Sequence, residues 1–192
     1  MAKTESTFIN MLLTLVIITG VSATILGFVY EATKGPIEVS KMKKKNAAIE
    51  AVVPAFTNNP GQESYEVEVD GGVVTFYPAK SNDEIVGYAV ETYTMKGFAG
   101  LIKLMVGFLP DGTINNIAVL EHKETPGLGD KMEKSKSNFS VQFNGKNPET
   151  FKLSVTKDGG NVDAITASTI SSRAYCDAVK RAYDALMKGG KK

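Results

Sequence analysis

The sequence has one cysteine, one histidine and no tryptophan among its 192 residues. A single cysteine excludes an internal disulfide, and with one histidine it leaves too few soft ligands for a zinc or iron–sulfur site made by this chain alone. The 22 basic and 21 acidic residues nearly cancel, so no excess of charge indicates a nucleic-acid partner. Any metal would have to be shared with another chain or bound by oxygen ligands.

Charged side chains are absent from residues 8–30. As a helix rising about 1.5 Å per residue, this stretch reaches roughly 34 Å, enough to cross a hydrocarbon core of about 30 Å. A cleaved signal peptide is the alternative, but its apolar region usually spans only about 7–15 residues, and no clear small-residue cleavage site follows here. The stretch therefore predicts a single transmembrane helix in the lipid bilayer.

Lysines are distributed unevenly about this predicted helix. Lys3 precedes it, whereas Lys34, Lys41 and the run at 43–45 follow it, which favours a cytoplasmic C-terminal part. The lysine run itself predicts a solvated helix face beside the membrane, with contact to acidic lipid head groups or a partner as the alternative.

The rest of the chain predicts a linker followed by one α+β domain. We expect a break at Gly35-Pro36, then a short amphipathic helix that ends before Pro54. From about residue 64 the apolar pattern has a period of two, with turn sequences at 70–72 and 110–112, which predicts a twisted, mostly antiparallel sheet with packed helices. Residues 150–155 predict one more strand, and 170–186 a C-terminal helix. The predicted parts are an N-terminal tail (1–7), a transmembrane helix (8–30), a juxtamembrane helical linker (31–63) and the domain (64–188).

Five hydroxyl residues crowd the start of the C-terminal helix: Thr166, Ser168, Thr169, Ser171 and Ser172. One capping residue satisfies a helix N-terminus, so the others lack an obvious structural purpose. No acidic residue lies between Asp163 and Asp177, which leaves the helix dipole and the free N–H groups available to an anion such as phosphate. Capping alone is the competing interpretation.

Residues 163–174, DAITASTISSRA, resemble the flavin-attachment motif of an FMN-binding domain family. This family is shared by the G subunit of the Rnf complex and the C subunit of the sodium-pumping NADH:quinone oxidoreductase. The resemblance implies FMN bound covalently through a phosphoester to Thr169. The chain departs from the motif at Thr166-Ala167, where Ser-Gly is common, and at Ser168, where Ala is common. The matching positions are Asp163, Thr166, Ala167, Ser168, Thr169, Ser171 and Ser172.

Two further segments extend the resemblance. One is similar to the family's E-T-P-G-L-G loop, and the other, Gly97, Phe98 and Gly100, to its glycine-rich strand entry. Alone, the first is a common turn sequence and the second marks only a bulge or bend. Together with residues 163–174 they imply that the loop lies at the flavin, where its glycines let the backbone approach a flat ring. The loop residues are Glu124, Thr125, Pro126, Gly127, Leu128 and Gly129.

Three other residues are candidates for the site. We expect His122 to be a partly exposed strand-end residue and Cys176 to pack within the C-terminal helix. Arg173 is expected on a solvated helix face, with pairing to the flavin phosphate as the alternative.

The resemblance implies an electron-carrying subunit, not catalytic on its own, of a membrane-bound ferredoxin:NAD oxidoreductase coupled to sodium or proton translocation. The Rnf complex is favoured over the quinone reductase because this chain is compact. The implied partners are other membrane and redox subunits, a flavin transferase and the bilayer.

The resemblance also implies a single-pass protein of the bacterial inner membrane with its flavin domain on the extracytoplasmic side. This opposes the lysine count, and we follow the family because assembly with other subunits can override the bias of one helix. Three alternatives remain: the C subunit of the quinone reductase, a membrane-anchored assembly module without flavin, and regulatory phosphorylation at Thr169 or Ser171.

Overall fold

The computed structural model of this chain describes residues 7–69 and 72–190. The chain separates into two units, 1–43 and 44–192. Residues 1–6 of the predicted tail, and Asp70 and Gly71 of the first predicted turn, lie outside the described residues. The main elements in chain order are α1 (Phe8–Val52), β1 (Tyr65–Val69), β2 (Gly72–Ser81), β3 (Glu84–Gly97), β4 (Gly100–Phe108), β5 (Ile114–His122) and α2 (Thr169–Ala185).

In the first unit, α1 is apolar and its most apolar part is not buried within the chain. Its embedded threonines are satisfied locally, since Thr14, Thr19 and Thr24 each donate to the carbonyl four residues earlier at 2.7–2.8 Å. The helix is thus long and apolar enough to cross a membrane.

The predicted break at Gly35-Pro36 is wrong, because α1 continues through Pro36 to Val52. A proline inside a helix removes one i→i−4 hydrogen bond, while the long helical segments on both sides keep theirs. The predicted end of the helix before Pro54 is confirmed.

The five strands form one antiparallel sheet in the order β1-β2-β3-β4-β5, so each strand pairs with its neighbour in sequence. Between β2 and β3 the chain turns through Asn82 and Asp83, with φ of 52° and 64°, the positive values that a tight hairpin requires. Gly112, in the predicted second turn, has φ of 90°. The predicted α+β fold with a mostly antiparallel sheet is confirmed.

Different helices cover the two faces of this sheet. On one face, Ile102, Leu104, Val106 and Phe108 pack in a core with α2. The helix contributes its alanine stripe, which consists of Ala174, Ala178 and Ala182. On the other face, a smaller cluster joins Tyr77, Ala79, Ala89 and Met105 to Ala48, Ile49 and Val52 in the last turns of α1 and to Val53 just after it. Residues 44–53, which the sequence placed in a linker, therefore belong to the folded unit, because their apolar side chains cover this face.

Polar contacts fix the end of α1 on the sheet. Asn115 Nδ2 donates to the Val52 carbonyl and Asn116 Nδ2 to that of Ala51, both at 2.8 Å, so two of the last helical carbonyls have partners. Lys44 donates to the Leu120 carbonyl, and Lys45 Nζ lies 2.9 Å from a Glu91 carboxylate oxygen. The lysine run is solvent-accessible as predicted, with Lys43 and Lys44 exposed and the Lys45 side chain 33% exposed, but Lys44 and Lys45 also contact the sheet.

Burial disfavours the charged form of Lys45, but its hydrogen bonds to Glu91 and Tyr77 outweigh this effect and raise the pKa of Lys45. The ammonium group therefore stays charged throughout the neutral range. The charged ammonium group pairs the last turns of α1 with Glu91 of the sheet.

The strand predicted at 150–155 is wrong. The segment is irregular, and its one bridge joins Val155 to Val162. The alternation in the sequence arises because Leu153 and Val155 point into the core, while the Lys152 amide pairs with the Asn161 side chain at 2.8 Å instead of with a strand.

Replacing both Asn115 and Asn116 with Ala should remove two hydrogen bonds from the end of α1. We expect the free energy of unfolding to fall by about 1–3 kcal/mol, at about 0.5–1.5 kcal/mol for each bond. Denaturant unfolding of the full chain in detergent, followed by tyrosine fluorescence, measures this loss. Asn46→Ala, an exposed change on the same helix, is the control and should cause no loss. Equal effects from the two variants would contradict the assignment.

Candidate functional site

The three segments that carry the family resemblance meet at one cavity of about 340 Å³. Apart from Asp163, the attachment motif and the loop supply twelve candidate site residues, and eight of these line the cavity. Pro126, Gly127, Thr166 and Ser172 are nearby in the chain but do not. The lining residues are Phe98, Glu124, Thr125, Leu128, Gly129, Ala167, Ser168, Thr169, Ile170 and Ser171.

The carboxylate of Glu124 joins these segments. Glu124 is 5% exposed, and its Oε1 accepts the Ala99 backbone N–H at 2.9 Å, in the connection between β3 and β4. Its Oε2 accepts a short hydrogen bond from the Ser171 hydroxyl in the first turn of α2. One buried side chain thus holds the hairpin tip, its own loop and the helix start together.

Glycines make room for this carboxylate. A Cβ at Gly129 would lie 2.6 Å from both Glu124 Oε2 and Ser171 Oγ, and one at Gly97 would lie 2.8 Å from Glu124 Oε1. Such approaches are too close for a carbon atom, so these positions exclude larger residues. From the sequence, we expect these glycines to let the backbone approach a flat ring. The structure shows a second reason for glycine at 97 and 129, which is the lack of space for a Cβ beside other atoms of the chain.

The five hydroxyls have different surroundings. Ser171 binds Glu124, and Ser172 donates to the Ser168 carbonyl and accepts from the Ile165 amide, both at 2.9 Å. Thr166 is exposed and outside the cavity, and Ser168 is 7% exposed. Thr169 is partly exposed and lines the cavity, and its hydroxyl has no hydrogen-bond partner among residues 7–69 and 72–190. The hydroxyls of Ser171 and Ser172, whose purpose was not evident from the sequence, therefore form hydrogen bonds that stabilise the fold.

The N-terminus of α2 is open. Ser168 is the N-cap residue but makes no side-chain capping bond, and the first turn holds no acidic residue. Within the described residues, the amides of Thr169, Ile170 and Ser171 have no backbone acceptor. These groups and the helix dipole form a site where an anion is stabilised.

The turn ahead of α2 has an unusual backbone. The Ser168 amide closes it by donating to the Ile165 carbonyl at 2.9 Å, and Ala167 has φ of 60°. This left-handed conformation suits glycine, which explains why the family motif commonly has glycine where this chain has Ala167. The strained alanine still allows the turn that brings Thr169 to the cavity.

Arg173 is not free for an anion. Its guanidinium makes two hydrogen bonds to Asp158, at 2.7 and 2.8 Å, and this pairing lowers the pKa of the Asp158 carboxyl. Arg173 is half exposed, so the expected position on the helix surface is confirmed, but the side chain is paired.

His122 is more enclosed than the sequence predicted, with its side chain 11% exposed. Its Nε2 lies 2.8 Å from a Glu133 carboxylate oxygen, and its Nδ1 accepts the Glu124 backbone N–H at 3.1 Å. The His122 hydrogen bond lowers the pKa of Glu133. His122 therefore supports the loop that carries Glu124, a role that the sequence did not reveal because Glu133 becomes its neighbour only through folding.

Cys176 lies in the core, 3% exposed, and burial raises the pKa of its thiol to about 12. The expected packing role is confirmed. The thiol is therefore unreactive at neutral pH, since thiolate is the reactive form.

The cavity fits a phosphate-bearing aromatic cofactor such as FMN. Open amides and the Thr169 hydroxyl stand at one side, and three apolar side chains lie around it: Phe98, Leu128 and Ile170, which are 70%, 41% and 50% exposed. A largely apolar wall with a few directed polar groups is the usual character of a cofactor site. Ile170 is a lining residue that the motif did not identify, because its side chain type is not part of the resemblance.

Gly129→Ala should force Glu124 and Ser171 apart. We expect the free energy of unfolding to fall by about 1–3 kcal/mol, because the added methyl group has no room in this packed region. Denaturant unfolding of the full chain in detergent measures the change. Gly61→Ala is the matched control, since its nearest contact would be at 3.4 Å. Unchanged stability of Gly129→Ala would show that the carboxylate site tolerates a Cβ.

Comparison with known proteins shows the family to which the chain belongs. The FMN-binding domain family matches residues 97–184. The G subunit of the ion-translocating oxidoreductase complex from Pasteurella multocida (strain Pm70) is 36% identical over 172 residues, covering 83% of each chain. The proteins of the same name from Escherichia coli O157:H7 and Methanosarcina acetivorans are 35% and 33% identical over 178 residues. They cover 88% and 91% of this chain, and 86% and 92% of their own lengths. The chain therefore belongs to the family of Rnf-type ion-translocating oxidoreductase complex G subunits, and it contains an FMN-binding domain.

Proposed function

We propose that this chain is the electron-carrying subunit of a membrane-bound ion-translocating oxidoreductase and that it holds FMN through a phosphoester to Thr169. The observation that carries the proposal is the Thr169 side chain. It lines the cavity at the open start of α2, and its hydroxyl has no hydrogen-bond partner in the described part of the chain.

The neighbouring hydroxyls are poorer acceptors for the phosphoester. Ser171 and Ser172 would each lose a buried hydrogen bond if their oxygen were esterified, and an unsatisfied buried partner is unfavourable. Thr166 is exposed and does not line the cavity. Modification of Thr169 leaves these contacts intact, and Thr169 is more exposed than Ser168, the other cavity-lining hydroxyl without a capping bond, which is 7% exposed.

The open amides of α2 suit the phosphate. A phosphoester keeps a negative charge, which the first-turn N–H groups and the helix dipole would stabilise. When bound, FMN supplies the ability to take up two electrons and release them one at a time. The role of the chain is to hold this group in position: Phe98, Leu128 and Ile170 offer apolar contact to its ring, and the covalent link prevents its loss.

The proposal that this chain is part of a larger complex is supported by the names of its relatives. The relatives are named as subunits of an ion-translocating oxidoreductase complex, and we propose that this chain assembles with other membrane and redox subunits. On the family resemblance, the complex passes electrons between ferredoxin and NAD, and a separate flavin transferase attaches the FMN. Co-purification of the neighbouring subunits would separate this assignment from a sodium-pumping quinone reductase.

Thr169→Ala should abolish the covalent flavin. Intact-mass analysis of the full chain, produced in cells that contain its flavin transferase, should show an adduct equal to FMN less water, and the denatured chain should fluoresce as a flavin. Thr166→Ala, which removes an exposed hydroxyl from the same motif, should keep the adduct. A bare wild-type chain would instead support a flavin-free assembly module, and a smaller phosphate adduct without fluorescence would indicate phosphorylation.

We further propose that α1 crosses the membrane and that the flavin domain lies outside the cytoplasm. Ser135→Cys, at an exposed position, should react with a membrane-impermeant thiol reagent in spheroplasts. The wild-type chain is the control, because its sole cysteine is buried. Labelling of Ser135→Cys only after lysis would place the domain in the cytoplasm, as the lysine count favours.

A further inference from the structure

Glu124 brings a charged group into the wall of the cavity. It is 5% exposed and lines the same cavity as Thr169. Both of its oxygens act as acceptors, one from the Ala99 amide and one from the Ser171 hydroxyl. This is the hydrogen-bond pattern that an ionised carboxylate satisfies.

No opposite charge neutralises this carboxylate within the described part of the chain. Among residues 7–69 and 72–190, no lysine or arginine forms an ion pair with Glu124. Three cations on the surrounding elements have other partners: Lys96 binds Asp177 at 2.6 Å, Lys136 binds Asp130 at 2.9 Å, and Arg173 binds Asp158. The Glu124 carboxylate therefore lines the cavity without an ion-pair partner among the described residues.

The fold does not require a charge at this position. A glutamine could accept the Ala99 N–H through its Oε1 and donate to the Ser171 oxygen through its Nε2. Burying an unpaired charge is unfavourable compared with burying a neutral amide of the same shape. A glutamate at this position is thus electrostatically less favourable than a glutamine, and the two hydrogen bonds do not explain why the chain has the acid.

We propose that Glu124 lowers the reduction potential of the flavin held in this cavity; the inference rests on the proposed function. Each electron delivered to the cavity adds one negative charge there unless a proton follows it. A fixed negative charge in a buried wall opposes that addition, and water screens a buried charge only weakly. Glu124 therefore makes the bound flavin a stronger electron donor.

The test is the flavin midpoint potential of Glu124→Gln, measured by spectroelectrochemical titration of the full flavinylated chain in detergent. We expect the potential to shift in the positive direction, with the mass of the FMN adduct unchanged. Glu121→Gln is the matched control: it removes one negative charge at the end of β5 from a residue that does not line the cavity. The control should have the wild-type potential.

A second variant tests the effect of the Glu124 charge through a shift of the flavin potential in the opposite direction. Ser171→Ala removes a hydrogen-bond donor from Glu124, so at a pH high enough to keep the carboxylate ionised the flavin potential should shift in the negative direction. This variant decides the question if Glu124→Gln does not fold. A purely structural role for Glu124 would not move the potential in opposite directions in the two variants.

The outcomes separate this inference from the proposed function. A flavinylated Glu124→Gln chain with the wild-type potential, an equal shift in Glu121→Gln, or a positive shift in Ser171→Ala would overturn the role of Glu124. A wild-type chain that carries no covalent flavin would instead overturn the proposed function.

Discussion

The hydrogen bonds of one buried carboxylate organise the candidate site. Glu124 reaches the backbone of the β3–β4 connection with one oxygen and the first turn of α2 with the other. A Cβ at Gly129 would collide with this group, and a Cβ at Gly97 would collide with it and, more closely, with the Gly100 carbonyl. Three segments that are distant in sequence thus supply the space and the hydrogen-bond donors that a buried carboxylate needs.

The sheet supports this arrangement because both of its faces are covered. The alanine stripe of α2 packs on one face, where its small side chains let the helix approach the sheet closely. The Thr92 hydroxyl of the sheet donates to the Ala178 carbonyl of α2 at 3.0 Å. The end of α1 covers part of the opposite face and is fixed there by Asn115 and Asn116. The start of α2 is therefore held by a rigid element, while its first amides remain open for a ligand.

Local patterns predicted most of the regular structure. The period-two segments became the five strands, and the helical spacing of 170–186 became α2, because alternation and 3.6-residue periodicity report directly which side chains are buried. The same reasoning failed at 150–155, where Leu153 and Val155 are buried from an irregular segment, and at Gly35-Pro36, where the helix tolerates its proline. In both cases alternation or a breaker residue describes a local tendency that neighbouring structure overrides.

The sequence by itself determined the long apolar helix, the antiparallel sheet and the positions of the motifs, since these depend on composition and spacing along the chain. Only the tertiary structure decided which of the hydroxyls are engaged in hydrogen bonds within the chain. Ser171 and Ser172 are engaged by groups that are 47 and 7 residues away along the chain, whereas the Thr169 hydroxyl beside them has no such bond within the described part of the chain. Hydrogen-bond satisfaction is a property of three-dimensional neighbours, so five similar side chains in one short segment become distinct only when the chain has folded.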